Sequence, residues 1–323
     1  MGRFHQQLEK AELHLHLEGS LEPETLREID PRLTAGEIER RYRYENFDDF
    51  ILSYKWVTSL LRSPEAYALA MRRLLERLTA NNIRYAEITL SAGVALVRGL
   101  DWDSVYDAVA REAAHSPLDV WFILDAIRQL GPEHALEVAR LAAGRGGSRV
   151  VAFGIGGSEA LGPAAWFTDV FRFVKDQGLK VTVHAGETVG PESIWAALRA
   201  GADRIGHGFR AAEEAALAAY LRDHDVPLEI CLSSNLALGL VPSLAAHIAR
   251  SLFDAGVPLV LNTDDPAMFH TDLAREYELA ERELGFSREE LQQLASNGFR
   301  YAFRRTGFRS GTSARTESPA PSG

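Results

Sequence analysis

Two histidines one residue apart, His14 and His16, stand in the stretch Ala11-Glu-Leu-His-Leu-His-Leu-Glu-Gly-Ser20. Leu13, Leu15 and Leu17 alternate with them, a period of two that predicts a strand. Residues i and i+2 of a strand point the same way, so both imidazoles project from one face and can share one ion. Imidazole is the commonest side-chain ligand for zinc and its neighbours in the transition series. A polar pair in an apolar strand is costly unless something satisfies it. For this segment alone, two hydrogen-bonded histidines at a strand end remain the plain alternative.

Other chemistry-bearing residues also fall where strands should end. Val181-Thr-Val-His-Ala-Gly-Glu187 ends in His184, with Glu187 just beyond. Arg204-Ile-Gly-His-Gly208 ends at His207, and Leu259-Val-Leu-Asn-Thr-Asp-Asp-Pro266 ends in Asp264 and Asp265. Taken singly, each has an ordinary reading: a hydrogen-bonded histidine, a helix-start carboxylate, an Asp-Asp-Pro turn. Together they need an architecture that brings strand ends to one place.

The chain supplies one. Eight strand-like runs are predicted at Ala11–Leu15, Tyr85–Leu90, Val120–Ala126, Val150–Ile155, Lys180–His184, Arg204–His207, Leu228–Leu232 and Leu259–Asn262. Several are continuously apolar, as parallel strands covered on both faces are. Segments with helical spacing lie between them, among them Glu133–Leu141, Pro191–Leu198 and Leu244–Phe253. Eightfold alternation implies an α/β fold, a (β/α)8 TIM barrel, whose active sites form at the C-terminal ends of the strands. An open doubly wound sheet is the runner-up, but no G-x-G-x-x-G follows the first strand. Three histidines and a carboxylate from strands one, five and eight then converge, a set suited to one catalytic zinc ion.

Residues 1–305 read as a single barrel domain. The connection 21–80 is too long for a simple βα unit and reads as a helical insertion, with helices at Glu22–Ile29, Phe47–Leu61 and Pro64–Thr79. Tyr54 and Trp56 make it a candidate lid, ordinary packing outside the barrel being the other possibility. Residues 306–323 are polar and proline-bearing and are expected to be disordered. The chain has 323 residues and a formal net charge of −10 with no basic cluster, which argues against nucleic acid and anionic membrane as partners. The single cysteine, Cys231, excludes an internal disulfide and reads as a buried structural thiol. With no signal-peptide core and no apolar run near 20 residues, a cytoplasmic location is expected.

The motifs His14-Leu-His-Leu-Glu-Gly19, His184-Ala-Gly-Glu187, Ile205-Gly-His-Gly208, Ser233-Ser-Asn235 and Asn262-Thr-Asp-Asp-Pro-Ala-Met-Phe269 resemble, in order, those of the adenosine deaminase family. The resemblance covers about residues 8 to 304. It implies one zinc ion per chain held by His14, His16, His184 and Asp264. It implies Glu187 as the acid that protonates N1 of a purine and His207 as the group that orients and helps deprotonate the attacking water. Asp264 could also accept that proton. Asp265 matches the carboxylate at N7 and Gly157 the glycine whose N–H meets N3. Ser234 and Asn235 are expected to shape the site.

Two departures bear on the substrate. Glu18 stands where adenosine enzymes carry an aspartate facing the ribose 5′ region, and Gly154 where many carry an aspartate. The implied activity is hydrolytic removal of the 6-amino group of an adenine nucleoside, adenosine or a 5′-modified relative such as aminodeoxyfutalosine; the alternative is free adenine. A binding-only barrel would need no proton-transfer pair. A two-metal hydrolase often carries a lysine or an extra carboxylate between its metals, and no lysine falls at a mapped strand end.

Overall fold

The structure, a computed structural model, describes residues 3–146 and 148–304. The expected disordered tail lies outside the described residues. Eight parallel strands form one sheet in sequential order: β1 (Lys10–His16), β2 (Ile83–Leu90), β3 (Asp119–Ile127), β4 (Val150–Gly156), β5 (Lys180–Ala185), β6 (Arg204–His207), β7 (Leu228–Ile230) and β8 (Leu259–Leu261). Helices separate them, giving the (β/α)8 barrel expected from the alternation. The outer faces of the strands, with Phe122, Phe153, Val181, Ile205 and Leu261, share one apolar core with the surrounding helices. Burial on both faces explains the continuous apolar runs.

The barrel closes at the β8–β1 seam by an unusual route. Past the end of β8, Asp264 N–H donates to the His14 carbonyl at 3.0 Å, and His16 N–H donates to the Asp264 carbonyl at 2.9 Å. Below them a side chain replaces the ladder: Asn262 Oδ1 accepts from the N–H groups of Leu13 at 2.7 Å and His14 at 3.1 Å. Pairing of β1 with β2 shifts register between Glu12 and Leu15, so the even alternation expected of β1 is interrupted around His14.

Beneath the strand ends lies a charged layer. Arg204 is 1% exposed. Its Nη2 donates to Glu87 Oε2 and its Nε to Glu229 Oε1, both at 2.5 Å. The guanidinium sits 3.5 Å from the Phe303 ring centroid, and Nη1 donates to the Tyr301 carbonyl at 3.0 Å. The segment after the last helix (Arg288–Arg300) thus floors the barrel.

Between β1 and β2 lie four helices: α2 (Pro23–Ile29), α3 (Ala35–Arg41), α4 (Phe47–Leu60) and α5 (Pro64–Ala80), α1 being Arg3–Gln7. Three match predicted segments. The fourth, α3, had a signal in Thr34 and Glu37: the Thr34 hydroxyl accepts from Glu37 N–H as an N-cap, the start of a capping-box pattern. The predicted helix Leu244–Phe253 is instead a 3-10 turn, Leu244–Ala246, and a short helix, Ala249–Asp254. The His247 ring interrupts it, accepting from Ala249 N–H through Nδ1. Predicted strand seven stops at Ile230, because Leu232 already begins a helix.

The seam gives a test. Replacing Asn262 with alanine strands two buried backbone donors, each costing about 1–3 kcal/mol. Urea unfolding of Asn262→Ala should show a loss of about 2–5 kcal/mol. A loss under about 0.5 kcal/mol would mean that the seam closes without this side chain.

Candidate active site

Strand ends bring His14, His16, His184 and Asp264 together, with one possible ligand atom from each within 4.8 Å of all the others. The Nε2 atoms of His14 and His16 lie 3.3 and 3.4 Å from Asp264 Oδ1. The second nitrogens of His14 and His184 are committed elsewhere. His14 Nδ1 meets Glu229 Oε2 at 2.7 Å, and His184 Nδ1 meets the Ile155 carbonyl at 3.2 Å. That leaves Nε2 of these two rings for the centre, the arrangement by which a partner on one nitrogen orients a metal-bound histidine. His14 Nε2 is buried with no hydrogen-bond partner in the protein. Three imidazoles and a carboxylate with an orphaned, inward nitrogen fit a divalent ion of the zinc type.

The local backbone is bent to make this set. Asp264 and His207 adopt left-handed φ of 65° and 58°, a conformation costly for residues other than glycine and concentrated at functional sites. Two glycines give room by close approach. A side chain at Gly206 would meet His14 Cε1 at 2.8 Å, and one at Gly19 would overlap the Asp265 carboxylate. The Ser234 hydroxyl donates to Asp264 Oδ2 at 2.8 Å. Asn235 Oδ1 pairs with His247 Nε2 at 3.1 Å. Both residues support the site from behind.

Glu187 lies beside the cluster, its Oε1 3.7 Å from His207 Nε2. Burial, reinforced by the carboxylates of Asp264 and Glu159, raises its pKa well above the ordinary carboxylate value, which favours its protonated form. Its position is set by Glu159, a residue without an obvious role in the sequence. The Glu159 carboxylate accepts the N–H groups of Gly186, Glu187 and Thr188 at 2.7–2.9 Å and the Ser193 hydroxyl. Arg128 donates to the His184 carbonyl at 2.7 Å. Glu159, Arg128 and Glu229 escaped the sequence reading because each acts by touching a loop or ring distant in sequence.

A cavity of about 470 Å³ opens above the cluster. His16, His184, Glu187, His207, Asp264, Asp265 and Gly157 line it, so seven of the nine sequence-derived site residues share one space. His14 sits just behind them, 4% exposed. Glu18 does not line the cavity. Its carboxylate is buried and accepts Ser91 N–H at 3.0 Å and the Tyr54 hydroxyl at 3.4 Å. Tyr54 lines the wall, whereas Trp56 does not; Arg41 lies over its ring, 5.5 Å from the centroid. The outer wall is apolar, with Phe47, Phe50 and Ile51 of α4 facing Val94 and Val97 of α6 (Ala92–Val97). Asp125 and Gln129 also line the cavity, each with a buried oxygen that has no hydrogen-bond partner. Among the described residues, no helix is long and apolar enough to cross a membrane.

Comparison with known proteins agrees with this geometry. The family model for adenosine deaminase matches residues 9–310. The chain is 37% identical over 305 residues to an adenine deaminase of Rhizobium meliloti, covering 92% of this chain and 94% of that one. It is 36% identical over 310 residues to an aminodeoxyfutalosine deaminase of Streptomyces coelicolor, covering 92% and 80%. The crystal structure of an adenine deaminase from Arthrobacter aurescens superposes with a TM-score of 0.86 at 28% identity, covering 91% and 94%. A match across nearly the whole length, with a candidate metal-ligand cluster in place, makes this chain a member of the adenosine deaminase family, a metal-dependent purine-deaminating hydrolase.

Proposed function

We propose that the enzyme removes the 6-amino group of adenine by hydrolysis, giving hypoxanthine and ammonia. The observation that carries this is a buried Glu187 beside His207 in the cavity that opens above the His14, His16, His184 and Asp264 cluster. When bound there, a zinc-type ion supplies a water that ionises near neutral pH.

The chain's own residues do the rest. Addition of water at C6 of an aromatic ring is unfavourable until N1 gains a proton, which Glu187 supplies. His207 orients the attacking water and takes up its proton. Asp265 and Gly157 hold the N7 and N3 edges of the purine. The tetrahedral carbon collapses, the amino group takes a proton and leaves as ammonia. Burial keeps competing water away and strengthens each of these polar contacts.

Free adenine is placed first as substrate on two grounds. The relatives from R. meliloti and A. aurescens are named for it. Glu18, the residue suggested for a ribose contact, spends its carboxylate on Ser91 and Tyr54 instead. A second reading, an adenine nucleoside with an apolar 5′ substituent, is favoured by the roomy wall of Phe50, Ile51, Val94 and Val97 and by the S. coelicolor relative. Ammonia release from adenine, adenosine and 5′-aryl adenosines decides the order. Turnover of none of them would defeat the reading.

Three further outcomes are expected. Metal analysis should find about one ion per chain, and His16→Ala should lose it; full occupancy in that variant would refute the ligand set. Glu187→Gln should retain metal but lower kcat by about 10²–10⁴-fold, the usual range for general acid–base catalysis. The pH profile carries a sign. Glu187 acts protonated with a raised pKa, so wild-type kcat/KM should fall as pH rises through that pKa. The residual activity of the glutamine variant should lack this basic limb, and a limb of unchanged position would assign it to another group.

A further inference from the structure

Asp125 is a carboxylate in the cavity that the mechanism above leaves without work. It stands near the end of β3, directly paired in register with Gly154 of β4. The space it occupies is provided by missing side chains. A Cβ at Gly154 would lie 3.1 Å from its Oδ1, and one at Gly156 would lie 2.8 Å from its Oδ2. Oδ1 is buried with no hydrogen-bond partner. An unpaired buried acceptor costs about 1–3 kcal/mol, so its persistence points to a ligand that supplies a donor. Gln129 Oε1 is similarly orphaned, but an amide can turn its NH2 toward a different partner. Burial raises the Asp125 pKa to about 8, and a carboxyl group keeps an acceptor oxygen whether or not its other oxygen carries a proton.

The order of strands around the barrel says which donor. On the functional reading above, Glu187 after β5 meets N1, Gly157 after β4 meets N3, and Asp265 after β8 meets N7. Around the rim, β3, β2 and β1 lie between β4 and β8. Around the purine, N9 lies between N3 and N7. The N9 edge therefore faces β3, β2 and β1. Two unpaired oxygens lie next to the Gly156–Gly157 turn, Gln129 Oε1 beside Gly157 and Asp125 Oδ1 beside Gly154 and Gly156; only Asp125 cannot exchange its acceptor for an NH2 by turning over.

We propose that Asp125 is a specificity-determining residue that accepts the N9–H of free adenine. Any N9-substituted purine lacks that hydrogen and leaves the carboxylate unpaired. The apolar wall beyond it gives room for a substituent, so discrimination comes from the missing donor rather than from a blocked space. This assignment rests on the adenine reading and names the group that enforces it.

The test compares adenine, 9-methyladenine and adenosine on metal-loaded wild type, Asp125→Ala and Asp125→Asn, with metal content and melting temperature as controls. Sites built to bond a substrate N–H reject analogues lacking it strongly. Wild-type kcat/KM should favour adenine over 9-methyladenine by at least about 10²-fold. Asp125→Ala should lower the adenine value at least about tenfold, mainly through KM, and leave 9-methyladenine within about twofold, so the ratio collapses. Asp125→Asn should recover part of it, because the amide oxygen still accepts. An unchanged ratio, or a parallel fall for both substrates, overturns the assignment. Adenosine being preferred, and falling with Asp125→Ala, would overturn it in favour of a sugar hydroxyl at this carboxylate. Absence of adenine turnover in the wild type would bring down the functional reading and this proposal with it. Adenine turnover with an unchanged ratio would bring down the Asp125 assignment alone.

Discussion

The β8–β1 seam is the constraint on which the site depends. Three of the four candidate ligands lie on it, and the same backbone bonds that close the barrel fix their spacing. The bonds Asp264 N–H to His14 carbonyl and His16 N–H to Asp264 carbonyl interleave the carboxylate with the two imidazoles. Asn262 takes over just below, where the ladder fails. The left-handed backbone at Asp264 turns its side chain inward at the point where an ordinary strand would continue. Strain at that residue is tolerated because its N–H and carbonyl are both committed across the seam.

The interior beneath the site is unusually polar for a barrel core. His14 leans on Glu229, Glu229 on Arg204, and Arg204 on Glu87, which also accepts the Tyr85 hydroxyl at 2.7 Å and Phe303 N–H at 2.6 Å. Buried charges are expensive unless each finds a partner, and here the chain of contacts is continuous from the floor to the metal cluster. Replacing such a chain with apolar side chains would serve stability as well or better. Its retention agrees with a second use, holding the His14 ring with Nε2 facing upward. The barrel floor and the reactive mouth are thus joined by one file of hydrogen bonds.

Much of this was legible in the sequence for a simple reason. Parallel strands buried on both faces leave continuous apolar runs, and polar residues breaking such runs at their ends are conspicuous. His14, His16, His184, His207 and Asp264 were visible on that ground alone. The residues that hold them were not. Glu229 sits within an apolar strand, and Glu159 follows a glycine-rich turn; neither has a local pattern that announces a partner 215 or 28 residues away. Asp125 stands near the end of the predicted strand Val120–Ala126 without a histidine or second carboxylate beside it in sequence, so nothing local marked it as part of the site. Glu18 was conspicuous beside His16, but its neighbours Ser91 and Tyr54 come from segments that its own sequence position does not reveal. The break in the helix before Asp254 came from a ring-to-backbone bond at His247, which periodicity does not encode.

The seam also sets when the site can exist. His14 and Asp264 are separated by nearly the whole barrel in sequence, and β1 has no second neighbour until β8 is in place. While the chain is being made, β1 waits as an open edge and its two histidines face no carboxylate. Joining such distant ends carries the entropy of a long loop, and contacts of this range form late in folding. The four candidate ligands therefore come together only as the ring closes. A bound ion, favouring only the closed ring, would then act as a latch on a completed fold and would slow the reopening of the one joint that every earlier strand pairing leaves free.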